Sequence, residues 1–258
     1  MENNRKTKII ATIGPASKNA LVLNQLIREG VDIFRFNLKY STPSGHGRII
    51  DRIRKITREQ KKHAQILVDI PSFSFTEGVI LALDKKADFI AVSHVRKPVD
   101  IKKVKQKIIK NQLLTKIIAK IETREALNCF DLVLDEADAL MVARGDLGKT
   151  IPIEQVPFVQ KEIVLACKDV GKIVIIATEM LLSMVSNNKP TRAEVSDVAN
   201  AVLEGSDGVM LSEETTVGQN PVEAVKVMNK VICEAESWQR LGHLHIFSAK
   251  NKKFKFGE

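Results

Sequence analysis

Short apolar runs rich in β-branched residues alternate with longer stretches of helical period along the whole chain. The runs fall at residues 8–13, 32–38, 65–70, 89–93, 116–121, 139–143, 173–178 and 208–211. Each is followed by a helical pattern, 191–204 and 221–236 being clear cases, and Gly30, Gly171 and Gly205 stand where helix C-caps are expected. Strand and helix in strict alternation is the pattern of a parallel sheet with crossover helices. Eight units in one domain predict a closed (β/α)₈ barrel, the TIM barrel, over residues 1–241. No Gly-rich dinucleotide fingerprint and no P-loop supports an open doubly wound sheet instead.

Composition narrows this further. A chain of 258 residues that is 44% hydrophobic can fill one large core. It contains no apolar run of spanning length, and its first eight residues are polar and basic, so a cytoplasmic protein with no membrane partner is expected. Cys129, Cys167 and Cys233 are far apart, each in a stretch read as helix, and are expected to be reduced packing residues. The net charge of +9 raises the question of nucleic acid, but the basic residues are spread over several amphipathic stretches and aromatics are only 5%, so no nucleic-acid partner is expected. Residues 242–258 form a lysine-rich tail beyond the last helical pattern, read as an appendage or docking segment.

In such a barrel, chemistry sits at the C-terminal ends of the strands. Those ends hold Thr12, Arg35, Asn37, Asp69, Ser93, Lys120, Glu122, Arg144, Asp146, Thr178, Ser212 and Glu214. Side chains alternate with period two, so Lys120 and Glu122 share a direction, as do Arg35, Asn37 and Lys39. One acid at a strand end is as a rule an N-cap or a surface ion pair. Glu122 and Asp146, ending adjacent strands beside Lys120, suit a hard cation such as Mg²⁺ or Mn²⁺ better. A metal beside a lysine can hold an enolate or a phosphoryl oxygen.

The same residues lie in segments that closely resemble pyruvate kinase: TKIIATIGPAS (7–17), KIIAKIE (116–122), MVARGDLG (141–148), ATEMLLSM (177–184), PTRAEVSDVANA (190–201), MLSEET (210–215) and PVEAV (221–225). The resemblance implies that Glu122 and Asp146 hold the divalent metal and that Lys120 stabilises the transferring phosphoryl group and the enolate. It implies a cradle for the substrate carboxylate from the backbone at Gly145 and Asp146 with the Thr178 hydroxyl, a phosphate contact from Arg35, and monovalent-cation ligands in Asn37 and Asp69. The helix beginning near Thr191 is implied to pack subunits of a homo-oligomer.

Three departures are as telling. The family's lid domain, inserted after strand three, has only residues 71–78 in its place, and the family's C-terminal domain is expected to be absent. After strand two, Asn37-Leu38-Lys39-Tyr40-Ser41 replaces a run containing a cation-ligand serine and a nucleotide-contacting histidine. Lys39 either turns into solvent or turns inward near Asp69, where its ammonium would replace the potassium ion. The expected function is therefore a pyruvate-kinase-like enzyme acting on a 2-oxo or enol carboxylate, with phosphoryl transfer to ADP weakened by the missing lid or restored by a partner chain. The alternatives are a metal-dependent lyase, aldolase or decarboxylase, on a 2-oxo acid and a non-catalytic barrel subunit.

Overall fold

The computed structural model describes residues 5–71 and 75–241; the tail at 242–258 and residues 72–74 of the shortened connection lie outside the described residues. All eight apolar runs are strands: β1 (Lys8–Thr12), β2 (Ile33–Asn37), β3 (Gln65–Ile70), β4 (Phe89–Val92), β5 (Lys116–Ile121), β6 (Ala139–Ala143), β7 (Ile173–Ala177) and β8 (Gly208–Leu211). They pair in parallel in chain order, and β8 returns to β1 to close the barrel. The helices are α1 (Ala20–Glu29), α2 (Pro43–Glu59), α3 (Phe75–Asp84), α4 (Pro98–Lys110), α5 (Arg124–Asn128), α6 (Phe130–Glu136), α7 (Arg144–Leu147), α8 (Val156–Asp169), α9 (Arg192–Leu203), α10 (Glu213–Thr216) and α11 (Pro221–Arg240).

Two apolar layers follow from the strand alternation. Outward residues such as Ile9, Phe34, Phe36, Val68 and Ile117 pack against the helices. Inward residues, among them Ile10, Ile33, Leu67, Ala91, Ile118 and Met210, fill the barrel. Two residues further along each of those strands come Thr12, Arg35, Asp69, Ser93, Lys120 and Ser212, so the same alternation lifts an apolar floor into a polar mouth.

At the opposite end an aspartate opens every even strand. The side chains of Asp32, Asp88, Asp138 and Asp207 accept from the backbone N–H of Ile9, Ile66, Ile117 and Val174, one residue into the preceding odd strand. These four latches bond donors at the barrel rim, where the sheet ladder begins.

Helix ends follow their caps. Gly30, Gly171 and Gly205 carry positive φ of 99°, 68° and 103°. Thr191 caps α9 in a reciprocal box with Glu194. Helix α3 starts only four residues after β3 and lies close: a Cβ at Gly78 would come 2.8 Å from Ile70.

Several boundaries differ from expectation. Strands β1, β2, β4 and β7 stop one residue early, and after β4 and β7 the reason is visible: His94 and Thr178 turn into the left-handed region. The connection after β3 is shorter than 71–78, because helix begins at Phe75. The last helix runs on to Arg240. Cys129 is not helical but forms the joint between α5 and α6, at φ −126° and ψ 36°.

Candidate active site

The mouth of the barrel is a cavity of about 510 Å³ whose walls include Arg35, Asn37, Lys39, Lys120, Glu122, Gly145, Asp146 and Thr178. Of the residues given a role from the sequence, all line this cavity except Asp69, which lies beneath it, 1% exposed; of the other strand-end candidates, Thr12, Arg144 and Glu214 do not line it.

Its centre is a buried set of two cations and two anions. Arg35 donates through Nε (2.9 Å) and Nη2 (2.7 Å) to Asp69 Oδ2, and through Nη1 to Thr12 Oγ1 (2.8 Å). Lys120 Nζ lies 3.2 Å from Asp69 Oδ2 and 2.7 Å from Glu122 Oε1, and donates to Ser93 Oγ at 2.9 Å. Ser93 in turn donates to Asp69 Oδ1. Glu122 Oε2 accepts from the backbone N–H of His94 at 2.6 Å. The charges cancel, which is the condition for holding four ionised groups in a low-dielectric place.

The titrations follow from these contacts. Burial alone would raise the Asp69 carboxyl, but the Lys120 and Arg35 charges, with hydrogen bonds from Arg35 and Ser93, bring it down to about 2. Burial works against the Lys120 ammonium, yet Asp69 and Glu122 outweigh it and push its pKa above the usual lysine value. Burial also opposes the Asp146 carboxylate. The hydrogen bond and charge of Lys149, with help from Lys120 and His94, leave it below the ordinary range.

Around this set stands a strained rim. Thr178 has φ 69° and Glu179 φ 56°, and a β-branched residue there is a true outlier. Two bonds from the β6 side hold Thr178: the Gly145 N–H donates to its Oγ1 (2.8 Å), and Arg144 Nη2 donates to its carbonyl (2.8 Å). Arg144 is itself anchored by Asp197 of α9 at 2.6 Å. Asp146 is half-buried and paired with Lys149 at 2.8 Å.

For Lys39 the structure takes the solvent-facing alternative. The Asn37 side chain accepts from the Lys39 backbone N–H, turning the chain away, and the exposed ammonium stands 6.0 Å from the Tyr40 ring centre. The positive charge beside Asp69 comes from Arg35 and Lys120. Glu214, at a strand end, is a brace: fully buried, it accepts from the N–H groups of Leu181 and Ser212 and ties two mouth loops together.

Sequence reasoning placed Ser93 and Arg144 at strand ends without a specific role, and passed over His94 and Lys149. Lys149 was findable, since it stands three residues after Asp146 in a helical turn. The bridging of Asp69 and Lys120 by Ser93 depends on contacts across strands, for which one sequence carries no signal.

A divalent metal can be tested against this donor set. Glu122 Oε1 is buried and, apart from its ion pair with Lys120, has no aligned donor. Asp146 is half-exposed on the same cavity wall. Among the described residues no cluster of three or more His, Cys, Asp or Glu could hold a metal alone. Two hard carboxylate oxygens fit an ion that takes its remaining ligands from substrate and water.

The model of the pyruvate kinase barrel domain matches residues 4–76 and 74–225, two pieces that meet at the β3–α3 connection. The pyruvate kinase of Bacillus licheniformis is 44% identical over 191 residues, covering 73% of this chain and 32% of that protein. That of Geobacillus stearothermophilus is 33% identical over 352 positions, 96% of this chain and 60% of the relative. That of Thermotoga maritima is 51% identical over 149 residues, 58% of the chain and 32% of the relative. The chain therefore spans about a third to three fifths of the length of these relatives. An alignment of 352 positions to a chain of 258 residues means that the Geobacillus protein holds long insertions with no counterpart here.

Proposed function

The chain belongs to the pyruvate kinase family, and we propose that its barrel mouth works on an enol or 2-oxo carboxylate of the phosphoenolpyruvate and pyruvate type, moving a phosphoryl group to ADP. The observation that carries this reading is Lys120, a buried ammonium kept charged by Asp69 and Glu122 at the floor of an open polar cavity. A fixed charge of that kind is suited to an oxyanion that develops during reaction.

In this reading the P–O bond of the substrate breaks as an ADP oxygen bonds to phosphorus. The electron pair left on the enolate oxygen is stabilised by Lys120, and protonation at carbon then gives the 2-oxo acid. Arg35 has one N–H left on each of Nη1 and Nη2 after its bonds to Thr12 and Asp69, and these serve phosphate oxygens. The carboxylate is taken at the backbone of Gly145 and Asp146 and by the Thr178 hydroxyl, which exchanges its bond to the Ala177 carbonyl for one to the substrate. Glu122 and Asp146 are the residues that would hold Mg²⁺ or Mn²⁺, which when bound supplies charge neutralisation for phosphate and enolate oxygens.

The short β3–α3 connection leaves the mouth without a lid inserted at that point, and in-line transfer depends on water exclusion. Phosphoryl transfer is therefore slow in this chain alone, and a partner chain covering the mouth would speed it. Packing of copies through α9 and a cytoplasmic location belong to the same proposal. Each relative reported above is named a pyruvate kinase, which favours kinase over lyase chemistry.

The test uses two reactions with Mg²⁺. Pyruvate formed from phosphoenolpyruvate and ADP reports transfer, and loss of pyruvate methyl protons in deuterated water reports the enolate. Exchange with measurable transfer is expected. A folded protein that gives neither overturns the proposal, and cleavage of oxaloacetate without any transfer moves it to the lyase.

A further inference from the structure

Charge is unevenly spread around this barrel. Residues 42–116 carry 17 Lys and Arg against 7 Asp and Glu, so the rest of the chain, with 23 against 24, is nearly neutral. Solvated helix faces ordinarily interleave both signs. Here, among the described residues of that sector, Lys85, Lys102 and Lys105 are the only lysines or arginines whose side-chain charge lies within 4 Å of a carboxylate.

The excess is sharpest on α4. Its buried stripe is Ile101, Val104 and Ile108, and its exposed side presents Lys103, Lys107 and Lys110, which have no acidic partner among the described residues. Interleaved with them are bare aliphatic side chains: Val99 is 45% exposed, Ile109 67% and Leu114, just beyond the helix, 98%. Helices of this barrel run against the strands, so Lys110 and Leu114 sit at the end remote from Lys120, away from the mouth.

We propose that this lysine-aliphatic face of α4 docks the protein on a membrane surface rich in anionic lipid. Lysines meeting headgroup phosphates while aliphatic side chains enter the interface is the chemistry of peripheral lipid binding. Other occupants fit less well. Protein interfaces are depleted in lysine and enriched in aromatics, and the segment from Pro98 to Lys116 holds no aromatic residue. Nucleic acid would use the lysines but has no use for the exposed Leu114 and Ile109, and single strands need stacking partners absent here. The expectation of no membrane partner rested on the lack of a spanning segment. Among the described residues no helix is long and apolar enough to cross a membrane, and surface docking requires none.

The full chain is sedimented with vesicles of phosphatidylcholine containing 30% phosphatidylserine and with vesicles of phosphatidylcholine alone. Binding only to the first, falling steeply with salt, is expected. At roughly fivefold per lysine, Lys103→Glu, Lys107→Glu and Lys110→Glu together should weaken it about a hundredfold. Leu114→Ser should weaken it about tenfold, whereas Lys18→Glu, Lys189→Glu and Lys230→Glu together should not. These are exposed positions, and an unchanged melting temperature checks each fold. The proposal is overturned by equal binding to both vesicles, by equal loss in the control triple variant, or by full retention in the α4 variant. Binding to a DNA duplex that is insensitive to Leu114→Ser, without vesicle binding, overturns it in favour of nucleic acid.

Discussion

Replacing Lys120 by methionine keeps an unbranched side chain, one heavy atom shorter, and removes the ammonium with its hydrogen bond to Ser93. At an effective dielectric of about 20, an ammonium 2.7 Å from Glu122 and 3.2 Å from Asp69 gains roughly 6 and 5 kcal/mol of Coulomb energy. Desolvation of a side chain only 9% exposed and repulsion from Arg35 cancel much of that. The observable cost of removing one partner from such a buried set is about 3–5 kcal/mol. Lys120→Met should therefore lower stability by that order. If the same charge stabilises the enolate, kcat should fall about a thousandfold while KM changes less than tenfold. The two losses separate experimentally. Stability is read by denaturant unfolding, and kcat by steady-state turnover at a temperature where the variant is fully folded. A variant of reduced stability that turns over at near wild-type kcat would show that Lys120 only neutralises the mouth, and the catalytic assignment would fall.

Arg144→Met should release the strained Thr178 and lower kcat about ten- to a hundredfold with little change in KM; Arg144→Lys should recover part of the loss, and unchanged kcat in the methionine variant would mean Thr178 is held by its own loop. Because Asp69 is already paired with Arg35 and Lys120, turnover in tetramethylammonium buffer should not rise on adding potassium, and Lys39→Ser should create no potassium requirement; strong activation would contradict the pairing seen here. The Asp69 carboxyl, held at about 2 by Lys120 and Arg35, contributes on the order of 2–3 kcal/mol of stability above pH 4, lost as pH falls through 2. Asp69→Asn should flatten the stability profile in that window, as acid titration of the unfolding free energy would reveal. Asp88→Ala removes one rim latch and should cost about 1–3 kcal/mol without altering KM, measured by urea unfolding.

The barrel was legible because its signal is local. Eight apolar runs, three positive-φ glycines and the Thr191 box each announce themselves within a few residues, and strand parity correctly sent Lys120 and Glu122 to one cavity. What parity cannot give is partnership. Arg35 and Asp69 are 34 residues apart and meet because register sets Arg35 against Leu67, two positions below Asp69. Resemblance alone made Asp69 a ligand for a free cation. In the structure its Oδ2 is paired with Arg35 and Lys120 while its Oδ1 accepts from Ser93, partnerships that only three-dimensional pairing expresses. The same limit explains Lys39. Its parity with Asn37 holds only while the strand continues, and the Asn37 side chain, by accepting from the Lys39 N–H, ends the strand at that step. Of the two directions left open for Lys39, one local hydrogen bond thus selects the solvent-facing rim. Where a strand stops decides which face its next side chain takes, and one residue of error there exchanges a buried charge for a solvated one.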